Sequence, residues 1–315
     1  MVLIRLGLGL LTLFLVSVVV FVATQALPGN AVNAVLGREA HDPAMYNSLR
    51  RQLGLDQPFY SQYGRWLGEV VRGDFGVSLV NGQPVATLIR TRVINSTILV
   101  AFAALLSIPL SILIGALSAV WRDRPVDVGV NLVNLCLAAM PEFVIGILLL
   151  LVFATGIFKV MPAVSPIMVG VSIFSQLRLF VLPAVTLALV VIPYVSRMLR
   201  ASTIAVLESD YIMMARMKGL SGSVVLWRHA VPNALVPTIQ AIAVSLAWLA
   251  GGIVTVEYVF GFPGIGAGLV AAVNDRDIPM IQALCLLIAV AYVILNLLAD
   301  IFTILINPRL RTGLR

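Results

Sequence analysis

Long stretches almost without charge constrain this chain more than any other feature. They lie at 6–27, 93–121, 128–158, 179–196, 230–256 and 278–306. A helix that crosses a bilayer needs about 20 predominantly apolar residues, because the hydrocarbon offers an open backbone no water to bond. Two acids fall inside these stretches, Glu142 in the third and Asp300 in the sixth. The pattern predicts an all-α polytopic membrane protein with six transmembrane helices in the lipid bilayer. Composition agrees: 60% of residues are hydrophobic and 11% charged, against roughly 25% charged in soluble domains. Pro109, Pro141, Pro183 and Pro193 interrupt the stretches. They are expected to be absorbed, since neighbouring helices re-satisfy the freed carbonyls.

Two segments admit other readings. The first stretch follows Arg5 as a signal peptide would, but its apolar core exceeds the roughly 7–15 residues of such a signal. No small-x-small cleavage site follows, so it is read as an uncleaved first helix. Residues 160–177 are apolar enough for a seventh span, yet hold Pro162, Pro166, Gly170 and three serines. An interfacial or re-entrant loop fits them better.

Charge sets the expected orientation. With six spans, one side holds Arg5, Arg122, Arg124, Arg197, Arg200, Arg216, Lys218, Arg228, Arg309, Arg311 and Arg315, eleven cations. Short loops on the other side hold three: Lys159, Arg178 and Arg276. Segment 28–92 adds seven arginines, but loops beyond about 60 residues translocate largely regardless of charge. Both termini are therefore expected in the cytoplasm. The same bias accounts for the net charge of +7, and no nucleic-acid partner is expected. Cys136 and Cys285 lie in apolar stretches and read as small hydrophobes. With His41 and His229 the only histidines and no CxxC, neither a metal site nor a cofactor is expected.

Between the fourth and fifth stretches stands a polar, basic insert, "DYIMMARMKGLSGSVVLWRHAVPNALVP" (210–237). Ile204, Leu207, Tyr211 and Met214 recur at helical spacing and predict one apolar face. Gly219 suits a left-handed helix cap, and Ser221 or Ser223 suits the start of the next helix. Val224, Trp227 and Val231 predict a second apolar face, while Pro232 and Pro237 frame entry into the fifth span. The expected form is two short amphipathic helices around a glycine elbow. A merely solvated loop has no use for Met213, Met214, Met217 and Trp227. Adaptable methionines beside basic residues predict a surface that a partner covers.

Several activities are disfavoured by what the residues lack. Lys159 and Lys218 are the only lysines and neither follows a glycine, so no GxxxxGK[ST] phosphate loop exists. HExxH and GxGD are absent, and no histidine falls inside the six stretches, which argues against an intramembrane enzyme. An ion-coupled secondary transporter usually carries inverted repeats and several intramembrane charges. No internal repeat is visible here, and that reading stays a remote alternative.

The insert resembles the cytoplasmic "EAA" loop of permease subunits in ATP-binding cassette importers of the dipeptide/oligopeptide/nickel class. Ala215 and Gly219 match its A-x-x-x-G core. The peptide-class extension, D-Y-x-x-x-A-R-x-K-G-L and then R-H-A-x-x-N-A-x-x-P, falls on Asp210, Tyr211, Ala215, Arg216, Lys218, Gly219 and Leu220, then on Arg228, His229, Ala230, Asn233, Ala234 and Pro237. Met213 and Met214 replace the general motif's Glu and first Ala, which removes any salt bridge of that Glu. "LGLDQPFYSQYGRWLGEVVRGDFGVSL" (53–79) is similar to the family's extracytoplasmic element after the first helix. "VEYVFGFPGIGAGLVAAVNDRDIPMIQA" (256–283) is similar to its fifth-to-sixth helix connection. "NPRLR" (307–311) resembles its C-terminal D-P-R-x-R, with Asn307 for the usual Asp.

These stretches also read physically. Phe59, Tyr63, Trp66, Leu67 and Val70 share one face of an interfacial helix. A cap on the membrane domain and a contact for a solute-delivering protein remain equal readings of it. "GFPGIGAG" (261–268) lacks the strand-to-helix setting of a nucleotide loop and reads as a tight extracytoplasmic turn.

The resemblance implies the type I ABC importer permease fold in the cytoplasmic (inner) membrane. Residues 1–92 would be the first helix plus an extracytoplasmic segment. Residues 93–306 would be the permease domain, with its coupling loop at about 200–232, and 307–315 a cytoplasmic tail. Implied partners are a second homologous permease, two cytoplasmic ATP-binding subunits and an extracytoplasmic solute-binding protein. ATP hydrolysis would then belong to the partners, not to this chain. The implied coupling residues are Asp210, Tyr211, Ala215, Arg216, Lys218, Gly219, Leu220, His229, Asn233 and Pro237. Di- and oligopeptides are the expected cargo, with nickel chelates, glutathione or other small solutes as the alternative.

Glu142 follows Pro141 inside the third stretch. An acid at such depth costs on the order of 3 kcal/mol, so it faces a bundle interior or a watery path. Two readings stand equal: Glu142 lines the translocation pathway and meets a peptide's cationic end, or it is protonated and bonded to a neighbouring helix. Pro141 predicts a bend or gate beside it.

Overall fold

The apolar runs become helices in the computed structural model, which describes residues 2–26, 56–168 and 171–306. In chain order these are α1 (Val2–Ala26), α2 (Phe59–Val71), α3 (Val85–Val120), α4 (Pro125–Ala139), α5 (Glu142–Leu150) and α6 (Leu177–Leu207). There follow α7 (Asp210–Met217), α8 (Gly222–Val224), α9 (Val231–Val259), α10 (Ile265–Asp275) and α11 (Ile278–Ile306). π-helical turns prolong α5 over Leu151–Thr155 and join α8 to α9 over Val225–Ala230. The all-α expectation holds among the described residues. Residues 53–55, the "NPRLR" stretch and the tail lie outside them.

Among the described residues, five helical runs are long and apolar enough to cross a membrane: Ile4–Ala26, Val85–Val120, Phe174–Leu207, Gly222–Leu249 and Ile278–Ile301. A sixth arises only if Pro125–Ala139 and Glu142–Thr155 cross together, and these are bent by 106°. The third stretch is thus not the continuous helix its length suggests. Pro109, Pro183, Pro193 and Pro237 stay inside unbroken helices, but Pro141 does not. A residue before proline is pushed out of the helical region, and Met140 takes φ −92°, ψ 132°. Pro141 is extended too, at φ −58°, ψ 144°, and α5 begins afresh at Glu142.

The chain divides into two compact units, Met1–Ser96 with Pro263–Val293, and Thr97–Phe262 with Ile294–Arg315. In the first, Val85 and Ile89 of α3 pack with Ala272, Met280, Ile281 and Leu284. Helix α2 lies along α1. The buried Phe21 ring stands 5.1 Å from Phe59 and 5.4 Å from both Tyr63 and Trp66, and the Ser17 and Tyr63 hydroxyls are hydrogen-bonded at 2.8 Å. Those three aromatics belong to the face the sequence predicts.

The glycine-rich stretch is a turn only in its first half. Gly261 takes φ +58°, and from Ile265 the chain is helix α10. A polar face of α3 receives it: Arg92 donates to the Gly264 carbonyl at 3.2 Å and Asn95 to that of Pro263 at 2.9 Å. The Ile265 N–H donates to Ser96 Oγ at 2.8 Å. Gly268 lets the Arg92 side chain lie close against the backbone of α10, where a Cβ would come within 2.8 Å of Arg92 Cδ.

In the second unit α6 is the central helix. Phe180, Leu187, Val191 and Val195 pack with Leu99 and Ala103 of α3, with Leu249, Ile253 and Val256 of α9, and with Phe260 and Phe262. Further along, Leu199 joins Ala116, Leu226, Ala230, Val231 and Ala234. Helix association in lipid gains nothing from expelling water, so small residues and close crossings replace bulk. At Gly115 a Cβ would lie 2.6 Å from the Ser196 carbonyl oxygen. Residues 160–168 are non-helical, as a loop reading requires, but Ile173–Gln176 wind as a 3-10 turn that leads into α6, so the loop is shorter than 160–177. Ser165 pins them by donating its N–H to Phe260 O at 2.8 Å and its hydroxyl to Leu179 O at 2.7 Å.

Candidate functional site

Helix α6 ends at Leu207, and the chain restarts as α7 after an extended Ser209. The Ser209 hydroxyl does not cap α7 but donates to the Val206 carbonyl at 2.5 Å. This break resets the helical phase. The single face expected through Ile204, Leu207, Tyr211 and Met214 therefore does not form. Tyr211 is 47% and Met214 55% exposed, while Ile212 is wholly buried and anchors α7.

Gly219 forms the elbow as predicted, at φ +81°. Its N–H donates to Arg216 O at 2.9 Å, and the Leu220 N–H donates to Ala215 O at 3.3 Å. That pair of bonds is the Schellman closure of a helix. Ser221 occupies the N-cap of α8, but its side chain makes no cap bond. The following turns wind as a π-helix, with more residues per turn than an α-helix. Val225, Leu226 and Ala230 are consequently buried beside Val231, whereas Val224 and Trp227 are exposed. Of the predicted second face only Val231 points inward.

The structure joins several of the motif residues. Asn233 Nδ2 donates to the Tyr211 hydroxyl at 3.1 Å and to the His229 carbonyl at 2.7 Å, tying α7 to the start of α9. Ala215, Arg216, Gly219 and Leu220 make the Schellman closure. Asp210 stands in the first turn of α7 and Arg216 in the last, the placement that suits the helix dipole. Arg216 and Lys218 are exposed, with no ion pair among the described residues. His229 lies half-buried within the apolar run Gly222–Leu249, so that run does contain a histidine. Pro237 sits further up α9, apart from the elbow. Met213, Met214, Met217 and Trp227 are all exposed, Met217 by 76%.

Glu142 is the first residue of α5, half-buried, and its Oε1 accepts from the Thr255 hydroxyl at 3.2 Å. It does not join the elbow residues. Glu257, one residue past the fifth apolar stretch, is wholly buried, a further acid that the reading of the apolar stretches passes over.

A further constellation escapes residue-by-residue reading. The Asp127 carboxylate receives Arg200 Nε on Oδ1 at 2.7 Å and Arg200 Nη2 on Oδ2 at 2.5 Å. Ser118 Oγ and Asn131 Nδ2 donate to Oδ1 at 2.5 and 2.8 Å, and the Asp123 N–H to Oδ2 at 3.0 Å. Nearby, Arg122 Nη1 donates to Glu208 Oε1 at 2.5 Å. Only the acid is signalled locally: Pro125 opens α4 and Asp127 stands in the first turn, a helix-start pattern that marks an acid as placed.

Comparison with known proteins agrees with this architecture. Residues 1–101 match the N-terminal part of the binding-protein-dependent transport system membrane component, and residues 107–312 match the binding-protein-dependent transport system inner membrane component. The chain is 35% identical over 305 residues to the glutathione transport system permease protein GsiC of Escherichia coli K12, covering 96% of both chains. It is similar to the same extent to GsiC of Shigella dysenteriae serotype 1. This chain belongs to the binding-protein-dependent transport inner-membrane component family, as the permease subunit of an ATP-binding cassette importer.

Proposed function

We propose that this permease forms half of a pathway for short peptides, with the tripeptide glutathione the first cargo to test. The 35% identity to permeases named for glutathione transport supports that size class. The elbow at 210–237 is, in this reading, the surface on which a cytoplasmic ATPase docks. Two such ATPases and a second homologous permease complete the importer, with cargo delivered by an extracytoplasmic binding protein. Residues 93–306 form the permease domain, with the coupling loop at about 200–232, and both termini face the cytoplasm in keeping with the charge bias. With Cys136 and Cys285 replaced, labelling of Ser221→Cys by an impermeant reagent from outside would overturn that orientation.

The observation that carries the coupling role is a stiff, apolar-topped lever. Met213, Met214, Met217 and Trp227 are exposed on an element whose exit angle Gly219 sets and whose far side Asn233 ties to Tyr211. A Cβ at Gly219 meets nothing within 4 Å. The cost of a larger residue is thus all backbone, roughly 1–2 kcal/mol for a left-handed L-residue. Gly219→Val is expected to cut uptake of labelled tripeptide and glutathione in the complete importer while the chain still inserts. Gly219→Asn, which tolerates the left-handed region, keeps uptake. Full uptake by Gly219→Val would make the elbow an ordinary loop.

A further inference from the structure

We infer that Asp127 is a positioning residue for coupling. Its buried pair with Arg200, together with the outer Arg122–Glu208 pair, clamps the α3–α4 turn to the end of α6, so that turn and elbow move as one block. The inference rests on the elbow being the ATPase-coupling surface.

The clamp is built from three directions. Ser118 contributes from the last turn of α3, the Asp123 N–H from the turn itself and Arg200 from α6, all onto one carboxylate. The Asp127 side chain is 2% exposed and that of Arg200 23%. A two-pronged guanidinium–carboxylate contact fixes angle as well as distance. Helix α6 cannot turn against α4 without leaving a desolvated charge unpaired, which is far costlier than breaking a surface pair. Asp123 itself takes a left-handed conformation, φ +61°, which aspartate adopts more readily than most residues, and presents its N–H to Asp127.

The second pair extends the clamp to the elbow. Glu208 is the residue immediately after α6 and stands just ahead of α7. Its bond to Arg122 reaches back to the same turn. This pair is 48% and 64% exposed, so it directs motion more than it adds stability. At Gly115 α3 crosses α6 so closely that a Cβ would lie 2.6 Å from the Ser196 carbonyl oxygen, a backbone approach that adds to the contact between the two helices. A partner pushing the elbow therefore cannot swing it alone; the α3–α4 turn and the first turn of α4 go with it.

The test uses the complete importer in proteoliposomes, reading solute carried per ATP hydrolysed beside ATPase retention. A residue that only supports folding changes the amount of assembled complex, not this ratio. Arg122→Glu and Glu208→Arg are each expected to lower the ratio about threefold with ATPase retained, and the double variant to restore it. Asp127→Asn keeps the shape and removes the charge, and is expected to lower the ratio about tenfold. Should Asp127→Asn not assemble, the outer pair decides alone. A wild-type ratio in the single reversals, or no recovery in the double, overturns the clamp. Failure of the ATPase to bind the wild-type elbow would instead overturn the docking reading.

Discussion

The Ser78 hydroxyl donates to the carboxylate of Asp277, a residue 199 positions later. The same carboxylate accepts the N–H of Leu79 at 3.2 Å and of Met280 at 3.5 Å. Asp277 is 3% exposed and stands just ahead of α11, so one group caps that helix and holds the turn before α3. The turn is tight: the Gly76 N–H donates to Asp74 Oδ1 at 2.9 Å, and Val77 bridges Pro84. Two stretches that resemble the family separately, 53–79 and 256–283, thus meet at a single carboxylate.

Removing that carboxylate strands the buried Ser78 hydroxyl and the N–H groups of Leu79 and Met280. Each buried donor left without a partner costs about 1–3 kcal/mol. Asp277→Ala is expected to lower the unfolding midpoint in detergent by several degrees, and Ser78→Ala by less, because the two backbone bonds remain. Equal midpoints for Asp277→Ala and wild type would show the contact to be incidental.

Two glycines should respond with opposite sign. At Gly115 a Cβ would meet Ser196 O at 2.6 Å and Leu199 Cβ at 3.0 Å, both on a fixed helix. Gly115→Ala must push α3 off α6, and such overpacking costs about 1–3 kcal/mol. Gly64 lies inside α2 with nothing within 4 Å, so Gly64→Ala is expected to stabilise by up to about 1 kcal/mol through helix propensity. Thermal unfolding of the two variants side by side checks this; destabilisation of the same size in both would refute the close crossing.

Arg276 closes α10 in a left-handed conformation, φ 58°. Its N–H donates to Val273 O at 3.2 Å and the Asp277 N–H to Ala272 O at 2.9 Å, a closure that usually employs glycine. Arg276→Gly removes the Cβ conflict but adds freedom to the unfolded chain. A net gain of about 0.5 kcal/mol is expected, read as a small rise in the unfolding midpoint. A fall would mean that the arginine side chain contributes more than its backbone costs.

The helices were legible because lipid demands long apolar runs, and Gly219 because few residues other than glycine close a helix that way. The elbow's faces were not. Counting from Ile204 to Met214 runs straight through the break at Ser209, after which α-helical phase no longer applies. Counting from Val224 to Trp227 assumes an α-helix where the backbone winds as π, so the neighbours Val225 and Leu226 are buried instead. Asp127 and Arg200 stand 73 residues apart, and no local pattern announces such a pair. Pro109, Pro141, Pro183 and Pro193, each well inside an apolar stretch, look alike in sequence. Of these four only Pro141 breaks its helix, a difference that no local pattern in the sequence marks.

Glu142 combines the features that its two sequence readings separately require. It begins α5 directly after the break, where the free N–H groups of a helix start favour a negative charge. Its bond to Thr255 on α9 suits a packing acid, and its partial exposure suits a residue met by passing solute. Glu142→Gln keeps the shape and an acceptor for Thr255 but removes the charge. If the carboxylate meets the cationic end of a peptide, uptake of peptides with a free amino terminus falls about tenfold, on the scale of a charged hydrogen bond. N-acetylated peptides, which lack that charge, are then carried as by wild type, and ATPase docking and protein level hold. Equal uptake of both peptide forms by Glu142→Gln and wild type would leave Glu142 as a packing partner of Thr255. In that case Thr255→Val should destabilise the chain by about 1 kcal/mol through the lost hydrogen bond, with transport per assembled importer unchanged.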